Sequence, residues 1–524
     1  MSLRISGKEL LTEVEQIVAI GHRRTGSAEE QRALEYLSGR FREIGLGEVS
    51  IEWFDIHYWE PQHVELKVLP EATAIRSKPV WYSGATPGGG LRAECAYAGY
   101  GMPHQFGDTR GKIAVMDGRT LLRFWPTYRF FNSYQSAVNA GALALIVITD
   151  TPCDLIPIFT AEEEKFDNPI PAILINRTEG ARLKERMRAS RTEVNLILEA
   201  RATMSRTGDV TGLLPGRTDE YIIAGAHHDS IYGGAIDNAA GVCALLAIAK
   251  EFAGRRQPPQ KNLLFVTHPG HELLIGAREF IKKHSHILNK TAAYITLDGI
   301  GCDNYEEIGG KIVKTGHDEL RGIFASPNHA LTNIILPIVK KYRLQPSAFL
   351  PADIMCPNED LEGRFLEAGV PVIDIIGKPV WYHTEEDTPD KCTPDQLERG
   401  TLAQMEIIEQ LDTLSLADIS AAGSKGFDPI SLIERKAYQT RPGIEFAYLP
   451  DKPKAGEPAL IYVRHLDDLE GILVDMKWEI NGEEGVKGPV LPHVFDKPGR
   501  YRVRITVTNT LGAQGTCEKN IEVA

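Results

Sequence analysis

Metal-type side chains recur where apolar runs of this sequence finish. "YIIAGAHHDS" ends in His227, His228 and Asp229, "GGAIDNAAGV" carries Asp237, and "NLLFVTHPGHE" runs on to His271 and Glu272. "AAYITLDG" stops at Asp298, and "VWYHTEEDT" presents His383. Each has an ordinary explanation on its own: an Asp before a helix caps it, a His after a strand is a loop residue, and an early helix Glu suits the dipole. Together, His227, Asp237, Glu272, Asp298 and His383 form a mixed nitrogen and oxygen donor set, suited to zinc and less often to manganese or cobalt. Paired cations about 3.5–4 Å apart need one carboxylate between them, with the others divided between the two. The chemistry would be metal-assisted hydrolysis. His271-Glu272 does not open a helical zinc motif, because Ile275 stands where that motif needs its second histidine. A phosphate-cradling loop is excluded because "GGAIDNAAG" lacks the lysine, and no Gly-x-Ser-x-Gly elbow is present.

The elements that must position these residues are strands and helices in alternation. From about residue 204 to 415, "YIIAGA", "NLLFVTH", "AAYITLD" and "VPVIDII" read as continuous apolar strands. "NAAGVCALLAIAKEFA", "GAREFIKKH", "HALTNIILPIVKKY" and "TPDQLERGTLAQMEIIEQL" read as helices between or after them. Continuous apolar strands imply a sheet covered on both faces, and sites in such sheets form beyond the carboxyl ends of the strands. Residues 7–46 predict two helices, with Ser27 and Glu30 as a capping box for the second and Gly45 as its stop. "EVSIEWFDIHYW" then alternates as a strand. Residues 62–203 break into short β-rich pieces with helices at "AVNAGA" and "TEGARLKERM". After a linker at 416–432, residues 433–524 alternate strictly between turns, the pattern of a β-sandwich.

The expected fold class is α/β: a mostly parallel mixed sheet covered by helices on both faces, with an inserted small β-rich, α+β domain and a C-terminal all-β sandwich. A discontinuous unit, 1–61 and 204–415, would carry the site. At 524 residues, more than one domain is expected, and the net charge of −13 argues against nucleic acid or an anionic membrane as partner. No apolar run approaches the roughly 20 residues of a membrane helix, and the first residues lack the apolar core of a signal peptide. Seven scattered cysteines without Cys-x-x-Cys spacing read as free thiols, so a cytoplasmic location is expected unless a leader was trimmed.

The run "GAHHDS…GGAIDNAAGVCALLAIAKEF", then "HELLIGAREF", "TLDGIG" and "YHTEEDTPD", resembles the co-catalytic dizinc aminopeptidase family. Glutamate carboxypeptidase II, the glutaminyl cyclases and the transferrin receptor belong to that family too. The resemblance covers about residues 1–60 and 204–415 and implies a zinc exopeptidase acting on peptides. It implies that His227 and Asp298 hold one zinc, that Glu272 and His383 hold the other, and that Asp237 bridges them. Asp229 would orient His227, and His228, at the family's variable position, would be structural. The segment from "DTRGKIAVMDGR" to "IPAILINRTEGARLKE" resembles a protease-associated domain, and "MKWEING…GRYRVRITVTNTLGAQGT" resembles a PKD-type sandwich.

One position departs from the family's pattern. Two adjacent glutamates are usual there, the first a general base and the second a ligand, whereas this chain has His271-Glu272. Three readings stay open. His271 takes the base role; Glu272 is itself the base, with the second metal weakly held or helped by His268 or His271; or the chain binds metal and hydrolyses peptides poorly or not at all. Tyr305, Tyr382 and the segment Phe349 to Phe365 are expected to line the substrate pocket.

Overall fold

The computed structural model describes residues 5–118, 130–161, 168–270, 275–355, 361–377, 379–421, 427–468 and 470–524. His271 and Glu272 lie outside the described residues. Leu10, Val14 and Ile17 form one buried stripe on the Gly7–Val18 helix, and Ala33, Leu34, Leu37 and Phe41 another on Ala28–Ile44. The Ser27 hydroxyl accepts from the Glu30 amide at 3.1 Å, and Gly45 ends the helix at φ 90°. The capping box is only half built, because the Glu30 carboxylate turns inward. It accepts from the Gly26 amide and from Thr207 Oγ1 at 2.7 Å.

The sheet is mixed, with four parallel strands at its centre. In spatial order these are Asn262–His268, Tyr221–His227, Thr291–Thr296 and Val372–Gly377. Their side chains are buried on both faces almost without a break, which explains the continuous apolar runs. Antiparallel Arg321–Ala325 and then Ser347–Pro351 extend one side, and Glu193–Leu214 flanks the other. Helices Ala240–Ala253, His329–Lys341 and Pro394–Thr413 bury one face, while Phe280 and Phe365 pack on the opposite face. At the far edge, Ala348 bridges Leu473 of the C-terminal sandwich, which covers an otherwise open strand. Trp478 sits fully buried in that sandwich, edge-on to Phe446 at 5.3 Å, with Nε1 donating to the Gly488 carbonyl.

Gly47–Val68 and Glu193–Leu214 pair antiparallel over their whole lengths and run from the central sheet into the insert. The insert builds its own parallel sheet, Leu91–Tyr97, Ile113–Gly118, Ala144–Thr149 and Ala172–Ile175, and that sheet joins the ribbon at Leu91–Glu94. The stretch read as linker carries a helix at Leu416–Ala421 and a 3₁₀ turn at Pro429–Leu432. No helix among the described residues is long and apolar enough to cross a membrane, and none of the described cysteines forms a disulfide.

Candidate metal centre

Four of the five sequence-predicted metal residues converge just past the carboxyl ends of the central strands. The donor atoms of His227, Asp237 and Asp298 all lie within 4.8 Å of one another. His227 Nε2 is 3.0 Å from Asp237 Oδ1 and 3.4 Å from Asp298 Oδ2. His383 Nε2 lies 3.2 Å from the other oxygen of the same carboxylate, Asp237 Oδ2. One carboxylate therefore faces two imidazoles with separate oxygens, the disposition a bridging ligand needs. The fifth residue, Glu272, and His271 fall outside the described residues.

Each of these side chains is held by bonds the sequence motifs do not display. His227 Nδ1 is 3.3 Å from Asp229 Oδ1, and Asp229 Oδ2 in turn accepts from Thr25 Oγ1 at 3.0 Å. This chain fixes the ring so that Nε2 points at the cluster. Asp237 does not cap the helix that follows; Asn238 serves that end, with Oδ1 accepting from the Gly241 amide at 2.9 Å. Asn238 Nδ2 also donates to the Leu297 carbonyl at 2.8 Å, tying the loop to the strand that delivers Asp298. Asp387 grips the loop from outside, accepting from the amides of Ile236 at 2.9 Å and Asp237 at 3.1 Å. His383 sits at φ 61°, a left-handed conformation costly for a side chain of this size. It is clamped there by the insert: the Ile158 amide donates to its carbonyl, and its Nδ1 lies 3.0 Å from the Ile158 carbonyl.

The electrostatics follow from imidazoles and carboxylates packed together in a dry interior. Burial alone would strip the proton from His227, yet Asp298 above all, with Asp229 and Asp237, holds its pKa well above the ordinary value. Burial alone would protonate Asp237, yet the His227 and His383 imidazoles hold its pKa well below the carboxylate range. A buried group of carboxylates is thus drawing positive charge into its centre. Divalent cations would supply that charge, and the nitrogen and oxygen donors fit zinc. Asp387 is pushed up to about 7, first by burial and then by the Asp237 charge.

His228 and His268 lie outside the cluster. His228 is buried between Thr267 Oγ1 at 3.1 Å and Glu30 Oε1 at 3.3 Å, a structural role. His268, weighed as an aid to the second metal, instead sets Nδ1 2.8 Å from Asp209 Oδ1 among Phe280, Tyr294 and Phe365.

Of the expected pocket lining, Tyr305 meets the buried Trp381 edge-on at 4.5 Å, Tyr382 stacks on His383 at 3.6 Å, Phe349 and Phe365 are core, and residues 356–360 lie outside the described residues. The cleft that opens on Asp237, Asp229 and His383 is walled by Arg24 and Thr25 from the N-terminal loop and by Trp81, Tyr82 and Thr160 from the insert. Sequence reasoning missed these residues.

His22 stacks beside this cleft on Tyr232 and Trp81, at 5.3 and 5.6 Å. Burial, helped by the Arg24 charge, lowers its pKa from 6.5 to about 3. The unfolded chain takes up that proton near 6.5 and the folded chain does not, so stability falls as pH drops through this window. His22→Phe is expected to lose less stability than the parent between pH 6.5 and 4.5, read from urea midpoints at each pH. Parallel losses in the two proteins would show that His22 does not contribute to acid sensitivity.

Histidines and carboxylates gathered at the carboxyl edge of a mixed sheet define an α/β fold with a candidate metal centre. Residues 209–408 match the model of peptidase family M28, residues 78–183 that of the PA domain, and residues 439–524 that of the PKD domain. The chain thus carries a region similar to peptidase family M28, together with regions similar to the PA and PKD domains. Among curated proteins it is similar to a probable glutamate carboxypeptidase of Arabidopsis thaliana, AMP1, at 24% identity over 39% of this chain and 30% of that protein. It is also similar to the aminopeptidase NAALADL1 of Mus musculus, at 30% identity over 20% of this chain and 15% of that protein. The matches thus span less than a third of those relatives' lengths. Among solved structures, an aminopeptidase from Aneurinibacillus sp. strain AM-1 superposes with TM-score 0.60 at 21% identity, over 78% of this chain and 94% of that one. The zinc aminopeptidase BSAP of Bacillus subtilis gives 0.60 at 20% identity, over 80% and 99%. These likenesses establish the shared fold.

Proposed function

We propose that the protein is a zinc-dependent exopeptidase that removes amino-terminal residues from peptides. The observation that carries this reading is the Asp237 carboxylate, with Oδ1 turned to His227 and Oδ2 to His383. His227 and Asp298 would hold one zinc, Glu272 and His383 the second, and Asp237 both. Bound there, the metals would acidify a water and polarise the scissile carbonyl. The family place of the PA and PKD domains supports the peptidase reading, as do the aminopeptidase names of the neighbours.

The chain's own residues do the rest. Asp229 and Thr25 hold the His227 ring, Ile158 holds that of His383, and Asp387 fixes the Asp237 loop. His271 occupies the place of the usual glutamate base and would take the water's proton and return it to the leaving amine. In the same reading, His271→Ala keeps its metal and loses at least about 100-fold in turnover. Unchanged turnover would remove His271 from the mechanism. The decisive experiment measures metal content together with hydrolysis of aminoacyl-anilide and dipeptide substrates. Two equivalents of zinc with turnover supports the proposal. Two equivalents without turnover on any substrate would favour a metal-binding scaffold of the same fold, the reading that the His-Glu pair keeps in play.

A further inference from the structure

Arg24 carries the only fixed positive charge among the described residues that line the cleft. Its guanidinium lies over the Trp81 ring at 4.2 Å and over the Tyr58 ring at 5.3 Å. Nη2 donates to the Trp59 carbonyl, while Nε is enclosed with no acceptor. Among the described residues no carboxylate forms an ion pair with it; burial opposes its charge, and Tyr58, Tyr82, Glu60 and Tyr232 favour it from a distance. The contrast with its neighbour is sharp. Arg23 is fully buried, and its Nε, Nη1 and Nη2 all donate to backbone carbonyls. Enclosing Nε without an acceptor costs free energy, which the two ring contacts and one backbone hydrogen bond oppose. The Nη hydrogens not spent on Trp59 suit a carboxylate, and the Trp81 face supports the guanidinium behind them.

We infer that Arg24, seated on Trp81, receives a substrate carboxylate and makes the protein selective for peptides that place one beside the scissile bond. The inference rests on the peptidase reading above and names the substrate class of that site. Such a carboxylate has two sources: the side chain of an acidic first residue, or the free carboxyl end of a dipeptide. Arg24 is a specificity residue in this account, distinct from the residues that would hold metal.

Matched substrate pairs separate the sources: glutamyl against glutaminyl p-nitroanilide for the side chain, and Ala-Ala against its carboxyl-terminal amide for the chain end. The parent protein should favour the carboxylate member of at least one pair by about 10- to 100-fold in kcat/KM, mostly through KM. Arg24→Met keeps the stem on Trp81 and should bring that ratio close to one, and Arg24→Lys should restore part of it. No preference in the parent, or a ratio unchanged in Arg24→Met, would overturn the inference. A binding arm stands apart from turnover: glutarate should bind the zinc-loaded parent in calorimetry and bind Arg24→Met at least about 10-fold more weakly. Glutarate binding without hydrolysis of any substrate would defeat the peptidase reading and keep the Arg24 site. Equal glutarate binding by both proteins would defeat the site itself and reduce Arg24 to a clamp between the insert and the sheet.

Discussion

Asp237→Asn is expected to lose bound zinc and more than about a thousandfold of peptide hydrolysis while the fold persists. The substitution preserves shape and removes only the charge. That charge faces His227 at 3.0 Å and His383 at 3.2 Å, so neither half of the centre keeps its shared partner. The backbone around it has other supports: Asn238 anchors the helix start and the Leu297 carbonyl, and Asp387 receives the loop amides. Zinc measured by atomic absorption, beside a circular dichroism spectrum, checks the prediction. Stoichiometric zinc in the variant would contradict a bridging role, and a lost spectrum would shift the residue's importance to folding.

Arg23→Met carries the largest expected effect on stability, about 3–5 kcal/mol. Arg23 is wholly buried and ties three separate pieces of chain by backbone carbonyls. Ile17 and Gly21 close the first helix, His228 ends a central strand, and Gly233 and Gly234 enter the Asp237 loop. Methionine fills much of the volume and removes the side-chain donor from these carbonyls in a dry interior, a costly loss although those of Ile17 and Gly234 keep a backbone donor. Burial lowers the Arg23 pKa to about 10, which leaves it charged at neutral pH beside Asp229 and Asp387. The denaturant midpoint of the catalytic unit, with the susceptibility of the 17–24 loop to proteolysis, reads the effect. Arg23→Lys should recover only part, because an ammonium cannot reach across the same fork of acceptors. An unchanged midpoint would show that water replaces the guanidinium.

Much of the catalytic sheet was legible because its signals are local. Runs such as "YIIAGA" and "NLLFVTH" are apolar on successive residues, which only a strand buried on both faces requires. Polar residues that follow such runs emerge at the strand ends, so His227, Asp298 and the approach to Asp237 could be placed together before any contact was known. Ser27 and Gly45 marked a helix by the backbone groups they satisfy. The same local logic misread Asp237 as a possible cap and gave Glu30 a capping role, whereas long-range contacts with Thr207 and His228 turned Glu30 inward.

What the sequence by itself determined, then, is the sheet, its covering helices and the edge where metal ligands gather, because strand burial and helix periodicity repeat over two to four residues. Only the tertiary structure decided the walls and supports of the site. Trp81 reaches Arg24 from 57 positions away, Ile158 holds His383 across 225, and Thr25 meets Asp229 across 204. Such pairs have no period or spacing to read. They exist because the long Gly47–Val68 and Glu193–Leu214 ribbon carries the insert back over the cleft, and chain closure over those distances is settled by the packing of the whole fold.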